Sequence, residues 1–371
     1  DVPVIFTNDG LYLNSHTIGY FPTFKGKNLL QTFYDNFLTL KDNGMWLDPY
    51  CYYIRKQGDL SLRTLSLCHP SAQVGWCDFY RDFTDAVLFY CSKSRFSIRR
   101  PFRISNSYFA TDSDKSSHYK EHDIDTIRDE LDKRYASSYF SYSGYRRPYK
   151  FFQSQSFMKL EKQYRSMMII DITRCFDSIY THTIGWAVLG KDVSKTDTSH
   201  TNAIGRRLDK LMQRSNSGVT NGIPIGAETS RVFAEIILQR IDVEIETELL
   251  NNHNFRHKTD YVIQRYVDDY YVFANSANDC NKVSSVISKH LQKFSLYINE
   301  GKKDELSRPF STARSRITRK ATGEIERLED SIGSLSDDGR LLNPKHISRY
   351  KIVKGFVGRV REMCGDSDAD Y

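Results

Sequence analysis

Residues 261–274 read YVIQRYVDDYYVFA, an apolar stretch interrupted by two adjacent acids, Asp268 and Asp269. The aromatic and aliphatic residues on either side predict two β-strands, and the acids predict the bend of a hairpin between them. Acids are common in hairpin turns, so a solvated turn is the simplest interpretation. The alternative is a bound cation, because a carboxylate buried among apolar residues is costly without a partner.

Another acid ends an apolar strand earlier in the chain. Residues 166–172 read SMMIIDI, which is typical of a strand buried on both faces, and Asp171 is the only charge in it. A salt bridge to an arginine would explain Asp171 taken alone. If its strand lies beside the strand of Asp268, these carboxylates and the backbone carbonyl of Ile172 could instead hold two Mg²⁺ or Mn²⁺ ions, about 3.5–4 Å apart, for phosphoryl transfer.

The rest of the chain predicts an α+β fold. From residue 166 onward the pattern is strand, helix, long helix, β-hairpin and helix, which predicts an antiparallel sheet with helices on one side. Residues 110–150 are polar and are interpreted as an insertion or a mobile connection. The predicted elements are a strand–turn–strand that begins at 51, an amphipathic helix at 75–91, a charged helix near 122–135, helices at 227–249 and 277–294, and a C-terminal helix that Asn343 caps and Pro344 begins.

Composition narrows the class of protein. The chain has 371 residues, 39% hydrophobic and 13% aromatic, which is a globular composition with room for two or three subdomains. The net charge of +7 fits a polyanionic partner without requiring one. Seven scattered cysteines predict reduced thiols and a cytoplasmic protein. No signal peptide opens the sequence. Because the sequence begins at Asp1 rather than at Met, we expect that residues before Asp1 are missing from it.

Four motifs together resemble the palm of reverse transcriptases. Residues 266–269, YVDD, are similar to the signature tetrad of that family, and residues 171–180, DITRCFDSIY, are similar to its first palm motif. Residues 221–226, NGIPIG, followed by the long helix, resemble the second motif. Residues 296–302, LYINEGK, resemble the motif after the catalytic hairpin. The resemblance covers about residues 50–310.

The resemblance implies a right-hand polymerase with fingers, palm and a short helical thumb. It places an N-terminal region and the fingers at 1–165, the palm with its antiparallel sheet packed on helices at 166–305, and the thumb or the start of a C-terminal helical domain at 306–371. Abortive-infection relatives often carry a larger C-terminal domain. The chain could therefore be a short form, a fragment or one of several subunits, and the sequence leaves these alternatives open.

The resemblance also implies catalytic roles. Asp171 and Asp268 match direct metal ligands, and Asp269 matches a weaker or indirect one. Lys302 matches a lysine that protonates the pyrophosphate leaving group, although a surface lysine is nearly as good an interpretation. Phe176 matches the steric gate that excludes a ribose 2′-OH, which implies a preference for dNTPs. Without the motif, Phe176 would be interpreted as an ordinary core residue.

Further residues match the nucleotide pocket of the family. Lys56 and Arg63 flank a turn at Gly58, as in a fingers hairpin that grips the triphosphate, although two solvated surface charges are an equal alternative. The remaining matches are Arg99, which could contact template, primer or triphosphate, and the loop residues Gly222, Pro224 and Gly226, which permit close backbone approach.

Within the family, the stretches 96–101, 178–184 and 222–231 are similar to bacterial abortive-infection enzymes, which act against phage. Many templated relatives have Gln where this chain has Ile225. The resemblance thus implies a DNA polymerase that uses dNTPs in antiphage defence, either with or without a conventional template. The alternatives are a conventional RNA-templated reverse transcriptase of the retron or group II intron kind and a non-catalytic nucleic-acid-binding scaffold. Expected partners are dNTPs, RNA and the DNA product, with a non-coding RNA, a companion protein and self-association left open and no membrane.

Overall fold

The structure is a computed structural model. It describes residues 46–55, 62–104, 139–145, 147–191, 204–310, 320–321, 323–328, 334–335, 341–342 and 349–365. Contacts divide the chain into two compact units, residues 1–54 with 64–305, and residues 55–63 with 306–371. The predicted boundaries at residues 165 and 305 stay a prediction.

Helices and short strands alternate along the chain. In order they are β1 (Tyr50–Arg55), β2 (Leu62–Leu67), α1 (Pro70–Tyr90), β3 (Arg99–Ile104), β4 (Phe140–Gly144), α2 (Pro148–Phe152), α3 (Gln155–Gln163), β5 (Ser166–Asp171), α4 (Cys175–Ser178), α5 (Thr183–Leu189), α6 (Ile204–Arg214), α7 (Glu228–His253), β6 (Tyr261–Tyr266), β7 (Asp269–Ala274), α8 (Ala277–Lys293), a 3₁₀ turn (Glu300–Lys302), β8 (Asp304–Ser307), β9 (Ser334–Leu335), β10 (Leu341–Leu342) and α9 (Arg349–Gly365).

A four-stranded sheet in the order β6-β7-β5-β8 forms the centre of the larger unit. β7 pairs antiparallel with both β5 and β6. The register with β5 runs from Ser166 opposite Ala274 to Asp171 opposite Asp269. Because side chains alternate along a strand, Asp269, Tyr271 and Phe273 share one face of β7, and Tyr270 and Val272 share the other.

The long helix α7 lies against the face that carries Tyr270. Its buried side includes Phe233, Ile237, Ile241 and Ile245, none of which has measurable exposure. Helix α8 packs beside α7 and against β5 and β7. The helix α7 ends where Asn254 adopts the left-handed conformation and donates its backbone N–H to Leu249. These helices cover one face of the sheet, as the sequence predicts.

The other face of β7 carries a layer that the sequence does not predict. Phe151 of α2 stacks on Tyr271 with ring centroids 5.7 Å apart, and Phe157 of α3 meets Phe273 edge-on at 6.0 Å. Both short helices begin with local signals, Pro148 at the start of α2 and the Ser154 cap of α3. Helices therefore lie on both faces of the sheet, which corrects the expectation of helices on one side.

Part of the predicted insertion at 110–150 is regular structure. β4 pairs antiparallel with β3, although their sequences are separated by more than thirty residues, and α2 begins at Pro148. The helix predicted near 122–135 lies outside the described residues. Helix α1 begins at Pro70, five residues before the predicted start, and α7 extends to His253.

In the smaller unit, β9 and β10 form an antiparallel pair and α9 is the predicted C-terminal helix. Its predicted start at Asn343 and Pro344 lies outside the described residues. Glu324 accepts hydrogen bonds from Arg327 and from Arg359 of α9. Within the part of the chain that the structure describes, no helix is both long and apolar enough to cross a bilayer.

Candidate active site

Three carboxylates lie at one end of the central sheet. Asp171 is the last residue of β5 and is paired with Asp269, the first residue of β7. Directly paired residues of neighbouring strands point to the same face. Asp268 occupies the turn just before Asp269, and Val267 gives that turn its reversal with a φ of 56°. The acids that are far apart in sequence therefore share one edge.

The electrostatics of the three acids are those of a crowded anionic site. Burial raises the pKa of Asp269 to about 7, and the charges of Asp268 and Asp171 add to the rise. Lys302 and a hydrogen bond from Tyr271 oppose it but do not cancel it. Asp268 and Asp171 also both act on the buried thiol of Cys175, whose pKa burial raises well above its usual value. A second positive charge would relieve this repulsion.

The segment at 299–302, which follows α8, contacts Asp171. The backbone N–H of Asn299 donates to the carbonyl of Asp171 at 2.8 Å, and its Nδ2 donates to Asp171 Oδ2 at 3.3 Å. Lys302 Nζ donates to the same Oδ2 at 2.9 Å. That hydrogen bond raises the pKa of Lys302, as do the charges of Asp269 and Asp268 to a smaller degree. Lys302 thus lies within electrostatic reach of all three acids.

The donor set suits a hard divalent cation. Its ligands would be carboxylate oxygens, which favour Mg²⁺ or Mn²⁺ over zinc, and their mutual repulsion is what a dication neutralises. The side chain of Lys302 is 67% exposed, so its ion pair with Asp171 is weak enough to exchange. A ready-made group of three or more His, Cys, Asp or Glu side chains in ligand arrangement is absent from the described residues.

Ile172 directly follows Asp171 in the chain. It is buried and forms an isolated antiparallel bridge with Ile298, while the flanking hydrogen bonds are made by the carbonyl of Asp171 and the N–H of Thr173. The bridge fixes the backbone just after Asp171. Ile172 remains a predicted carbonyl ligand.

The loop at 221–226 lies on the turn that carries Phe176. The N–H of Gly222 donates to Ile179 at 2.9 Å, and the N–H of Ile223 donates to the carbonyl of Phe176 at 2.8 Å. Gly222 has a φ of +91°, and a Cβ there would lie 3.0 Å from the carbonyl oxygen of Asp177, so a larger residue would displace the loop. Phe176 itself is half-buried and packs against the core.

The same loop also contacts strand β2. The backbone N–H of Ser66 donates to the carbonyl of Ile225 at 2.7 Å. Pro224 is buried, and Gly226 has a φ of 118°. Backbone hydrogen bonds therefore anchor the loop both to the turn of Phe176 and to β2. Such bonds require the backbones to approach closely, which the small residues of the loop permit.

Arg99 is next to the tetrad. Its guanidinium lies 4.8 Å from the ring of Tyr142 and 5.8 Å from the ring of Tyr266, the first residue of the tetrad. The buried Nε of Arg99 has no hydrogen-bond partner. Arg63 lies exposed on β2, and Lys56 is outside the described residues. His182, which follows the stretch 171–180, pairs with Asp209 at 2.6 Å and joins α5 to α6.

Sequence reasoning missed a charged cluster on the opposite face of the hairpin. Arg265 is fully buried in β6 and pairs with Asp242 and Glu235 of α7, and Tyr270 donates to Asp242 at 2.9 Å. Two signals could have revealed it. Arg265 interrupts an apolar strand, and Glu235, Gln239 and Asp242 follow the i, i+4, i+7 spacing of one helix face within an otherwise apolar helix.

The match to a family model decides the identity of the fold. Residues 105–316, more than half of the chain, match the family described as reverse transcriptase (RNA-dependent DNA polymerase). The chain belongs to the reverse transcriptase family. Its fold is the mixed one expected, an antiparallel sheet with helices. A search of the curated proteins finds no match to this reverse transcriptase.

Solved structures similar to this reverse transcriptase include telomerases. Apo telomerase of Candida tropicalis, truncated from its C-terminal domain, is 14% identical with a TM-score of 0.39 and covers 71% of this chain and 51% of its own. Telomerase of Candida albicans with a TWJ fragment of telomeric RNA is 10% identical, with a TM-score of 0.38 and coverages of 93% and 65%. The complex from Candida tropicalis has 13% identity, a TM-score of 0.40 and coverages of 87% and 54%.

The chain spans less than two thirds of the length of each of these telomerases. TM-scores of this size do not establish an equivalent arrangement of subdomains. The family match, together with the paired acids, is what bears on function.

Proposed function

We propose that this reverse transcriptase extends a primer hydroxyl with dNTPs by two-metal phosphoryl transfer. The observation that carries the proposal is the pairing of Asp171 with Asp269 across neighbouring strands, with Asp268 in the adjoining turn. Asp171, Asp268 and Asp269 would hold two Mg²⁺ or Mn²⁺ ions, with the Ile172 carbonyl as a further ligand. When bound, such ions polarise the phosphoryl oxygens and stabilise the attacking and leaving oxygens.

The chain's own cations complete the proposed reaction. The ammonium of Lys302 would exchange its place at Asp171 for the phosphates and would donate a proton to the departing pyrophosphate. Asn299 keeps the backbone of Asp171 in place through its 2.8 Å hydrogen bond during this exchange. Lys56, Arg63 and Arg99 supply positive charge for the triphosphate.

Phe176 is the proposed selector of the sugar. Its turn is fixed by hydrogen bonds from Ile223 to Phe176 and from Gly222 to Ile179, so the ring is held by the backbone on which the nucleotide loop rests. A fixed aromatic ring rejects a ribose 2′-OH by steric contact. Gly222, Pro224 and Gly226 shape the pocket wall beside it.

We propose synthesis without a conventional template. The support is the residue at 225, where an isoleucine replaces the glutamine of many templated relatives. The Ile225 carbonyl is engaged by Ser66, which leaves only a half-buried aliphatic side chain to meet a templating base pair. An aliphatic side chain cannot hydrogen-bond to base edges, so it favours a pocket that does not read a template.

The proposed setting is antiphage defence in the cytoplasm. It rests on the similarity of residues 96–101, 178–184 and 222–231 to abortive-infection enzymes and on the scattered cysteines. The described cysteines at 51, 68, 77, 91, 175 and 280 are free thiols. Phage plating on cells that carry the wild-type chain or the Asp268→Ala variant tests this setting. Equal plating efficiency on the two strains contradicts it.

One experiment tests the polymerase and the template question together. The purified protein, either treated with nuclease or left untreated, is incubated with Mg²⁺ and each dNTP separately, and the products are sized. We expect the nuclease-treated protein still to incorporate dNTPs when no template is added. Incorporation only after addition of primer and RNA template would indicate the conventional reverse transcriptase, and RNA binding without any incorporation would indicate the scaffold.

A further inference from the structure

The bend of the catalytic hairpin contains a backbone conformation that its residue disfavours. Val267 has a φ of 56°, in the left-handed region, yet valine is β-branched. Such residues are rare in this region because the branched side chain crowds the following carbonyl. A strained residue keeps its conformation only when its surroundings hold it there. The next two residues are Asp268 and Asp269, so a contact that holds the backbone of Val267 also sets the orientation of these two acids.

The contact that holds Val267 comes from Arg265. Arg265 Nη1 donates to the carbonyl of Val267 at 2.9 Å. A guanidinium hydrogen bond carries a positive charge and is stronger than one between neutral groups. It also stabilises the carbonyl in the orientation that the left-handed residue imposes.

Arg265 is itself fixed by the long helix. Its Nε donates to Asp242 Oδ2 at 2.9 Å, its Nη1 to Glu235 Oε2 at 2.8 Å, and its Nη2 contacts Glu235 Oε1 at 3.1 Å and Asp242 Oδ2 at 2.8 Å. Together with the Val267 carbonyl, these acceptors use every N–H of the guanidinium fork. The side chain is 0% exposed, so water cannot substitute for a lost partner.

The acids on α7 are held in turn. Tyr270 of β7 donates to Asp242 Oδ1 at 2.9 Å, and Gln239 Nε2 donates to Glu235 Oε1 at 2.7 Å. The cluster therefore joins α7 to both strands of the hairpin, through Arg265 on β6 and Tyr270 on β7. A lysine could not reproduce it, because an ammonium has three donors on a flexible stem and lacks the planar fork.

We infer that Arg265 is a positioning residue, which transmits the rigidity of α7 through Val267 to Asp268 and Asp269. It does not touch the reacting atoms. The inference rests on the proposed polymerase activity for its kinetic test, but the contacts also predict a structural effect that is measured without activity.

The test variant is Arg265→Lys, which keeps the buried positive charge and loses the fork. The matched control is Arg240→Lys, because Arg240 lies on α7 and pairs with Glu244 at 2.8 Å. Arg265→Lys is expected to lower kcat for dNTP incorporation by about 100-fold, since displacements of about 1 Å have effects of that size, while KM for dNTP changes less than about threefold. Arg240→Lys should leave both parameters unchanged.

A double-mutant cycle distinguishes positioning from general loosening. Glycine adopts the left-handed region freely, so a Val267→Gly background no longer needs Arg265 to hold the turn. In that background, Arg265→Lys should lower kcat by less than about tenfold. A loss of the same size in both backgrounds would show that Arg265 does not act through Val267 and would overturn the inference.

Amide hydrogen exchange gives the measurement that needs no activity. Arg265→Lys should speed exchange in a peptide that covers 266–270 and leave peptides of α8 unchanged. If Arg265→Lys does not fold, Glu235→Gln is used instead, since Arg265 remains paired with Asp242, and it should speed exchange at 266–270 to a smaller extent. Unchanged exchange at 266–270 contradicts the inference, whereas an inactive wild-type protein with the expected exchange pattern contradicts only the proposed function.

Discussion

Two groups of acids flank the hairpin of β6 and β7, and they differ in how their charge is balanced. On one face, Asp269 has a raised pKa because burial is reinforced by Asp268 and Asp171. On the other face, burial also raises the pKa of Asp242, but the largest neighbouring charge, Arg265, lowers it. Repulsion among like charges therefore dominates at the sheet edge, and attraction dominates against α7.

The cations of the two groups differ in the same way. The side chain of Arg265 is 0% exposed and that of Lys302 is 67% exposed. Removal of a buried cation leaves its partners without a counter-charge, whereas an exposed cation can exchange for another ligand. An exposed cation that can change partners, next to a hairpin that buried ion pairs hold in place, is therefore suited to a reaction site.

The largest expected effect is loss of incorporation when the repelling acids are neutralised. Asp269→Asn should lower the rate of dNTP incorporation by about 10³- to 10⁴-fold, because a ligand charge at the proposed metal site is lost. The rate is measured with saturating dNTP and Mg²⁺. Its folded stability should not fall, since the neutral side chain no longer repels Asp268 and Asp171. A rate within tenfold of wild type would contradict the assignment of Asp269 to the proposed metal site.

The next largest effect is a loss of stability when Arg265, the buried cation that pairs with α7, is replaced. Arg265→Met should lower the free energy of unfolding by about 3–5 kcal/mol, because it leaves Asp242 and Glu235 buried without a counter-charge. Urea unfolding followed by fluorescence measures the change. A loss below about 1 kcal/mol would show that the buried cluster contributes little to stability.

A pH effect separates the two groups further. In metal-free protein the folded pKa of Asp269 is about 7, above the unfolded value of 3.8, so the folded state binds more protons between these values. Stability contributed by the protonated carboxyl is complete below about pH 4 and is lost as pH rises through 7. Relative to wild type, Asp269→Asn should therefore gain about 3 kcal/mol between pH 4 and pH 8.

That pH series is run in EDTA and repeated with Mn²⁺. The metal should stabilise wild type at pH 8 and stabilise Asp269→Asn less, because the variant keeps only two of the three carboxylates and binding to the folded state alone raises stability. A difference between the two proteins that does not vary with pH would contradict the assigned repulsion.

The smallest effect is expected at the exposed cation. Lys302→Met should lower the rate of incorporation by about 10²-fold as a lost proton donor and change the free energy of unfolding by less than about 1 kcal/mol. Lys303→Met, one residue away, is the control. Equal losses in both variants would indicate a general loss of positive charge instead.

Local patterns predicted much of the fold correctly. β5, β6, β7 and α8 match their predicted positions within about a residue, since each has a strong apolar period and a clear end signal. α7 was also predicted, with four fewer residues at its C-terminal end. These elements depend on short-range spacing, which a single sequence carries.

Long-range pairing is what the sequence could not supply. The register that sets Asp171 opposite Asp269, the pairing of β3 with β4, and the contacts of Arg265 with Glu235 and Asp242 all join segments more than twenty residues apart. Periodicity specifies which face a residue occupies, and it does not specify which residue it meets. The resemblance supplied the acids, and the buried cluster behind them lies outside its motifs.

The central claim is that Asp171 acts together with the acids of the hairpin to catalyse nucleotide addition. The most direct measurement compares dNTP incorporation by wild type, Asp171→Asn and Asp304→Asn, an exposed acid on β8, in Mg²⁺ at equal folded concentration. We predict a loss of at least about 10³-fold for Asp171→Asn and a change below about twofold for Asp304→Asn. Equal incorporation by Asp171→Asn and wild type would contradict it.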